Sequence, residues 1–152
     1  MTDMDDIEIV LDDGGSRFAQ WRNVIVQVRT GKLTLEALDL MVASWRTLKG
    51  KVQGPIYAVF IIAADADMPT AEVRARQKEV IAEIGRGGRL RSAIVIEGEG
   101  VFAHLRRTII ELTAQGVRTF PSAEEAADAL AREKGAPTRD RILAVVKVAR
   151  GL

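Results

Sequence analysis

Asp65, Asp67, Glu97, Glu99 and His104 are the side chains whose types and spacing could do chemistry. The first pair ends an apolar run over residues 55–64, the second pair ends the run Ala93-Ile-Val-Ile96 of a strand over residues 90–97, and His104 falls one turn into the helix that follows. If the two runs are neighbouring strands, all five groups gather at one rim. There they could hold Mg²⁺ or another divalent ion, or divide acid and base roles between them. The spacing fits no established metal motif, and ordinary solvated carboxylates account for it more simply. One histidine and no cysteine leave zinc sites and serine triads without enough parts. His104 itself sits at the border of an apolar stripe, the usual place of a structural histidine. No metal and no cofactor are expected.

Phosphate-binding geometry is incomplete as well. Gly98-x-Gly100 stands between a strand and a helix, where free amides cradle anions. Ala103 replaces the third glycine, and Glu97 and Glu99 repel an anion. No Gly-x-x-x-x-Gly-Lys-Ser/Thr or Gly-x-Ser-x-Gly sequence occurs. Thr70 is the hydroxyl nearest the helix start after the first apolar run. A phosphate on it gains from the helix dipole and loses to Asp65 and Asp67. Ser92 lies inside a strand and is a poor candidate.

The elements that would position these groups follow from periodicity. The run opening at Ile56 reads as a central parallel strand, apolar on both sides because helices cover both. Such sheets meet ligands and partners at the carboxyl ends of their strands, here residues 65–70. Ahead of it, residues 7–12 and 17–21 flank Asp12-Asp13-Gly14-Gly15-Ser16 as an antiparallel hairpin. Over residues 23–29, Val24, Val26 and Val28 alternate with Ile25, Gln27 and Arg29, a strand with one face more buried than the other. Thr34 caps a helix whose stripe is Leu35, Leu38, Met41, Val42, Trp45 and Leu48, with Leu33 and Leu38 as a hydrophobic staple. The next helix runs to Ile84, with Pro69 in its first turn and Val73, Val80, Ile81 and Ile84 inward. Strand 90–97 follows, then a helix carrying Val101, Phe102, Leu105, Ile109 and Leu112. A short strand over 117–120 and the capping box Ser122-Ala-Glu-Glu125 lead into a helix ending at Ala131. A last helix over 138–150 turns Ile142, Val145, Val146 and Ala149 to one side. The expected fold is α/β: a mixed sheet with amino-terminal antiparallel strands, βα repeats packing helices on the sheet, and an extra carboxyl-terminal helix. Residues 1–135 form the domain, and 136–152 pack on it or on a partner.

Composition narrows the partners. At 152 residues the chain can bury roughly 70% of its unfolded surface without a staple. The net charge of +1 gives no field to draw in nucleic acid, and the bases are not interleaved with aromatics, so no stacking platform exists. Residues 1–10 carry four acids and no base, unlike a signal peptide, and no stretch approaches the roughly 20 apolar residues of a membrane span. A cytoplasmic protein that neither crosses a membrane nor binds nucleic acid is expected.

Gly31-Lys-Leu-Thr34 before the first long helix, Val59-Phe-Ile-Ile62 running into Asp65, Ala93-Ile-Val-Ile96, and Arg118-Thr-Phe-Pro-Ser-Ala-Glu-Glu-Ala126 carry a resemblance. Over residues 6–132 the chain resembles the STAS domain of anti-sigma-factor antagonists and sulfate-transporter tails, and looks closest to the divergent SpoIIAA-like branch. The resemblance implies a non-enzymatic module that docks a regulatory protein at the edge where the second long helix starts. The residues implied as partner-binding are Asp65, Asp67, Met68, Thr70 and Arg74, with Glu97 and Glu99 at the neighbouring strand end. Regulated members are phosphorylated on a serine in an Asp-Ser-Ser/Thr-Gly-like turn. This chain reads Ala63-Ala-Asp-Ala-Asp-Met-Pro-Thr70 instead, so Thr70 alone could serve as the phosphosite. The same branch shares its layout with lipid-binding domains, which makes a carrier or sensor of a small apolar, lipid-like ligand the alternative function. A metal-assisted hydrolase using the five rim groups is the third, and a homodimer is a further expected assembly.

Overall fold

The computed structural model describes residues 6–98 and 118–151. Its first turn forms because Asp13 Oδ1 accepts hydrogen bonds from the amides of Gly15 (3.0 Å) and Ser16 (2.8 Å), which folds the backbone back on itself. That turn joins β1 (Glu8–Asp12) to β2 (Ser16–Trp21), and a tight turn at Arg22, with φ of 53°, joins β2 to β3 (Val24–Arg29). Both pairings are antiparallel. The chain then alternates: α1 (Leu35–Lys51), β4 (Ile56–Ile62), α2 (Ala71–Gly85) and β5 (Leu90–Ile96). After them come β6 (Arg118–Phe120), α3 (Ala123–Ala131) and α4 (Arg139–Ala149). β3, β4, β5 and β6 pair in parallel, so the six strands lie side by side in chain order. This is an α/β protein built on a mixed sheet. The helix expected around residues 101–112 lies outside the described residues.

The period of two along each strand sorts side chains between two faces. On one face Ala19, Trp21, Val26, Val28, Tyr57, Val59, Ile61, Ala93 and Val95 pack under α3 and α4. Ala123, Ala126 and Ala127 of α3 are small enough to bring its backbone close to β4 and β5. On the other face Phe18, Ile25, Ile56 and Ala58 pack under α1 and α2, whose side chains there are bulkier. Of the stripe expected for α1, Leu38, Val42, Trp45 and Leu48 are buried, while Leu35 and Met41 are half-buried. In α2, Val73, Val80 and Ile84 are buried and Ile81 is half-buried.

Helix starts follow their hydroxyl caps. Thr34 Oγ1 accepts from the Ala37 amide (3.0 Å), Ser122 Oγ from Glu125 (3.2 Å) and Thr138 Oγ1 from Arg141 (3.3 Å). The last helix packs on the domain itself: α4 lies on β2 and β3 with Ile142, Val145, Val146 and Ala149 buried. Arg17 Nε donates to the Ala149 carbonyl (3.0 Å), and Arg150 clasps Glu97 with two hydrogen bonds of 3.2 and 2.8 Å. The antiparallel strands thus supply the surface this helix covers. No helix among the described residues is long and apolar enough to cross a membrane.

One strand differs from its sequence pattern. Gln27 and Arg29 mark the side of β3 expected to be more open, yet each is 7% exposed, and all six residues of the strand are buried. The reason is coverage: α1 and α2 lie over that side as α3 and α4 lie over the other.

Candidate functional site

Backbone hydrogen bonds hold the loop that leaves β4. The Ala63 amide donates to the Arg29 carbonyl (2.9 Å), Ala66 to Ala63 (3.1 Å) and Asp67 to Gly31 (3.3 Å). Ala66 is fully buried by this folding-back, whereas Asp65, Asp67 and Met68 project outward. The Gly31 amide also donates to the Gly15 carbonyl (3.1 Å), so one glycine ties the hairpin turn to the loops after β3 and β4. At the neighbouring strand end the Glu97 amide donates to the Ile62 carbonyl (2.9 Å). Gly98, with φ of +97°, lies so close that a Cβ there would stand 2.5 Å from that of Ala64. The strand ends therefore converge where parallel sheets place their sites.

Thr70 starts α2, its Oγ1 accepting from the Val73 amide at 3.3 Å. Pro69, expected inside the first turn, stands one residue before the cap. There it forfeits no helical hydrogen bond and keeps Met68 out of the helical region.

Between α2 and the sheet lies a cavity of about 130 Å³. Phe60 and Ile62 of β4, Ile94 of β5, Val80, Ile81 and Ile84 of α2, and Leu38 and Met41 of α1 form its apolar walls. Polar groups reach it at few points: Gln27 and Arg29 from β3, Ser92 from β5, and Arg74, Gln77 and Lys78 along α2. The Gln27 carboxamide and the Ser92 hydroxyl make no side-chain hydrogen bond among the described residues. Arg29, Arg74 and Lys78 give the described lining positive charge, with no acid among it.

On the outside, α2 is fastened to α1. Arg46 donates to both Glu83 oxygens at 2.8 and 2.7 Å, and Arg76 donates twice to Asp39 Oδ1 at 3.2 and 2.9 Å. The hydrogen bonds from Arg46 hold the Glu83 carboxyl below its ordinary range and raise Arg46 in turn, while hydrogen bonds to Asp39 and Glu79 raise Arg76. Such solvent-screened pairs set the placement of α2 more than they stabilise the fold.

The structure divides the residues implied as partner-binding. Met68 and Arg74 line the cavity with Pro69. Asp65 and Asp67 stay in solvent outside it, and Thr70 is occupied as a helix cap. Glu97 is committed to Arg150, an internal tie between β5 and α4. Glu99 and His104 lie outside the described residues. Among the described residues no three His, Asp or Glu side chains lie together as a metal site would require. Sequence reasoning missed Gln27 and Arg29 and set Ser92 aside. The available signal was two polar residues sharing one face of a strand that parallel pairing places in the middle of the sheet. Compared with protein-family models, curated proteins and solved structures, the chain matches none.

Proposed function

We propose that the protein is a non-enzymatic regulatory module that binds a small apolar ligand in the cavity beneath α2. The cavity carries this reading: its walls are apolar, and a few inward polar groups can orient a guest, the usual make-up of a small-molecule site. Met68 and Arg74 belong both to the lining and to the outer surface. A guest that shifts them changes what a protein partner meets at residues 65–70. The resemblance to STAS domains supports the regulatory half, and the order of the described elements agrees with it. Toluene tests the ligand half. Added to isotope-labelled protein, it is expected to move the amide resonances of Phe60, Ile81 and Ile94, and the cavity-filling Ile81→Trp is expected to abolish the effect. A wild type that does not respond to toluene overturns the reading.

A second reading, in which docking at residues 65–70 is the primary activity, is favoured by Met68. It is 39% exposed beside Asp67 on a hydrogen-bonded loop, which suits a partner with an apolar socket and basic rim. Capture of a partner that ignores both Met68→Ser and Asp67→Lys would count against it.

A further inference from the structure

We infer that the end of the sheet opposite residues 65–70 is a docking surface for an acidic segment of a partner protein. Topology makes this surface. Each of α1, α2 and α3 follows a parallel strand and runs back along the sheet, so their last turns gather at the amino ends of β4 and β5. Hydrogen bonds and an ion pair between the loops fix the arrangement. Arg89, just before β5, donates to the carbonyls of Lys49 (3.1 Å), Val52 (2.6 Å) and Gly54 (2.9 Å) at the end of α1. Arg91 meets Glu133, beyond α3, at 3.4 Å.

Charge gives the sign of the partner. Lys49 and Lys51 close α1, Arg86 follows α2, Arg132 and Lys134 follow α3, and all are exposed. None of them makes an ion pair among the described residues. The acids of the same loops are engaged already, Glu133 by Arg91 and Glu83 by Arg46. Asp6 and Glu8 share this end but stand at the far edge, at the start of β1. A helix dipole favours bases in a last turn. At α1 that role falls to Arg89, whose guanidinium occupies the terminal carbonyls, and the two lysines stay in solvent.

With a formal net charge of +1, the bases are segregated rather than in excess. Acids hold the opposite end: Asp65 and Asp67 after β4, and Glu36, Glu72, Glu124 and Glu125 in the first turns of helices. An acidic partner is therefore steered to one end of the molecule and repelled from the other. Trp21, Trp45 and Tyr57 are buried, so they offer no platform on which a nucleic-acid base could stack. The exposed large apolar side chains among the described residues, Ile9 and Met68, lie on the edge strand and at the opposite end, so nothing described here would enter a bilayer. A carboxylate-rich peptide needs neither device, because charges at a solvated rim attract it without being desolvated.

Fluorescence anisotropy of a labelled hexaglutamate peptide titrated with the whole protein tests this, with oligothymidylate and phosphatidylserine vesicles as rival probes. Peptide affinity is expected to fall about tenfold between ~20 and ~200 mM salt, as screening of exposed charges requires. The double reversal Lys51→Glu with Arg86→Glu is expected to weaken the peptide about fivefold at low salt, with an unchanged melting temperature and toluene response. The charge-matched control Lys32→Glu with Lys147→Glu, exposed at the opposite end, is expected to bind as wild type does. No binding, or an equal loss in the control, overturns the inference and leaves the cavity reading standing. Tighter binding of oligothymidylate or of the vesicles overturns it in favour of nucleic acid or a membrane surface. Salt-sensitive self-association abolished by the double reversal overturns it in favour of a second copy of this chain.

Discussion

Replacing Gln27 by leucine is expected to stabilise the ligand-free protein. The residue is 7% exposed, and its side chain makes no hydrogen bond to a described residue. A fully buried, unsatisfied amide costs roughly 1–3 kcal/mol, and leucine of similar size also surrenders less rotamer freedom on burial. The polar atoms of Gln27 are not among the fully buried, unsatisfied ones and border a cavity, which lowers the figure to about 0.5–1 kcal/mol. For a chain of this length each kcal/mol moves the melting temperature by roughly 2–4 °C, so a rise of about 1–4 °C follows. Urea unfolding followed by tryptophan fluorescence is the assay. Trp21 is buried on the α3–α4 face and Trp45 in the layer beneath α1, so one transition reports both layers. The midpoint should rise with an unchanged slope, since the surface exposed on unfolding barely differs. A loss exceeding about 1 kcal/mol would falsify the reasoning, because it would mean that the amide is already well bonded. Stability gained at a residue that orients a ligand is the trade-off expected of a binding site.

Three other outcomes are expected. Burial raises the hydroxyl pKa of Tyr57, the single tyrosine, above 10.0, with Glu133 adding to the effect and Arg91 opposing it. The folded state therefore favours the neutral phenol, a contribution complete below about pH 10 and lost as pH rises through the folded-state value. Ultraviolet titration of native protein should place the midpoint above 10, and Tyr57→Phe should flatten the alkaline loss of stability; a midpoint at or below 10 contradicts this. Ile142→Ala, at a fully buried position of α4, should cost about 2–5 kcal/mol in urea unfolding, and a loss under about 1 kcal/mol would show that the helix is not part of the core. Thr70→Ala removes the cap of α2 and should cost about 1 kcal/mol, whereas Thr70→Asp should stay near wild type; equal stability of all three proteins would deny the cap.

What the amino-acid sequence determined by itself was local. Thr34 and Ser122 announce helix starts because each hydroxyl serves an amide three residues on, and the apolar runs of β4 and β5 announce buried strands because the signal lies within one element. Tertiary structure decided what no single element contains. A period of two says that Gln27 and Arg29 share a face, but not that helices cover it. Glu97 looks like a solvated rim carboxylate until Arg150, 53 residues away, reaches it. Whether α4 packs on the domain depends on β2 and β3 offering it an apolar surface. The cavity has no sequence signature, since its walls come from β3, β4, β5, α1 and α2. Each of those elements shows which side it buries, but the space left where the buried sides fail to meet is set only once all of them are in place.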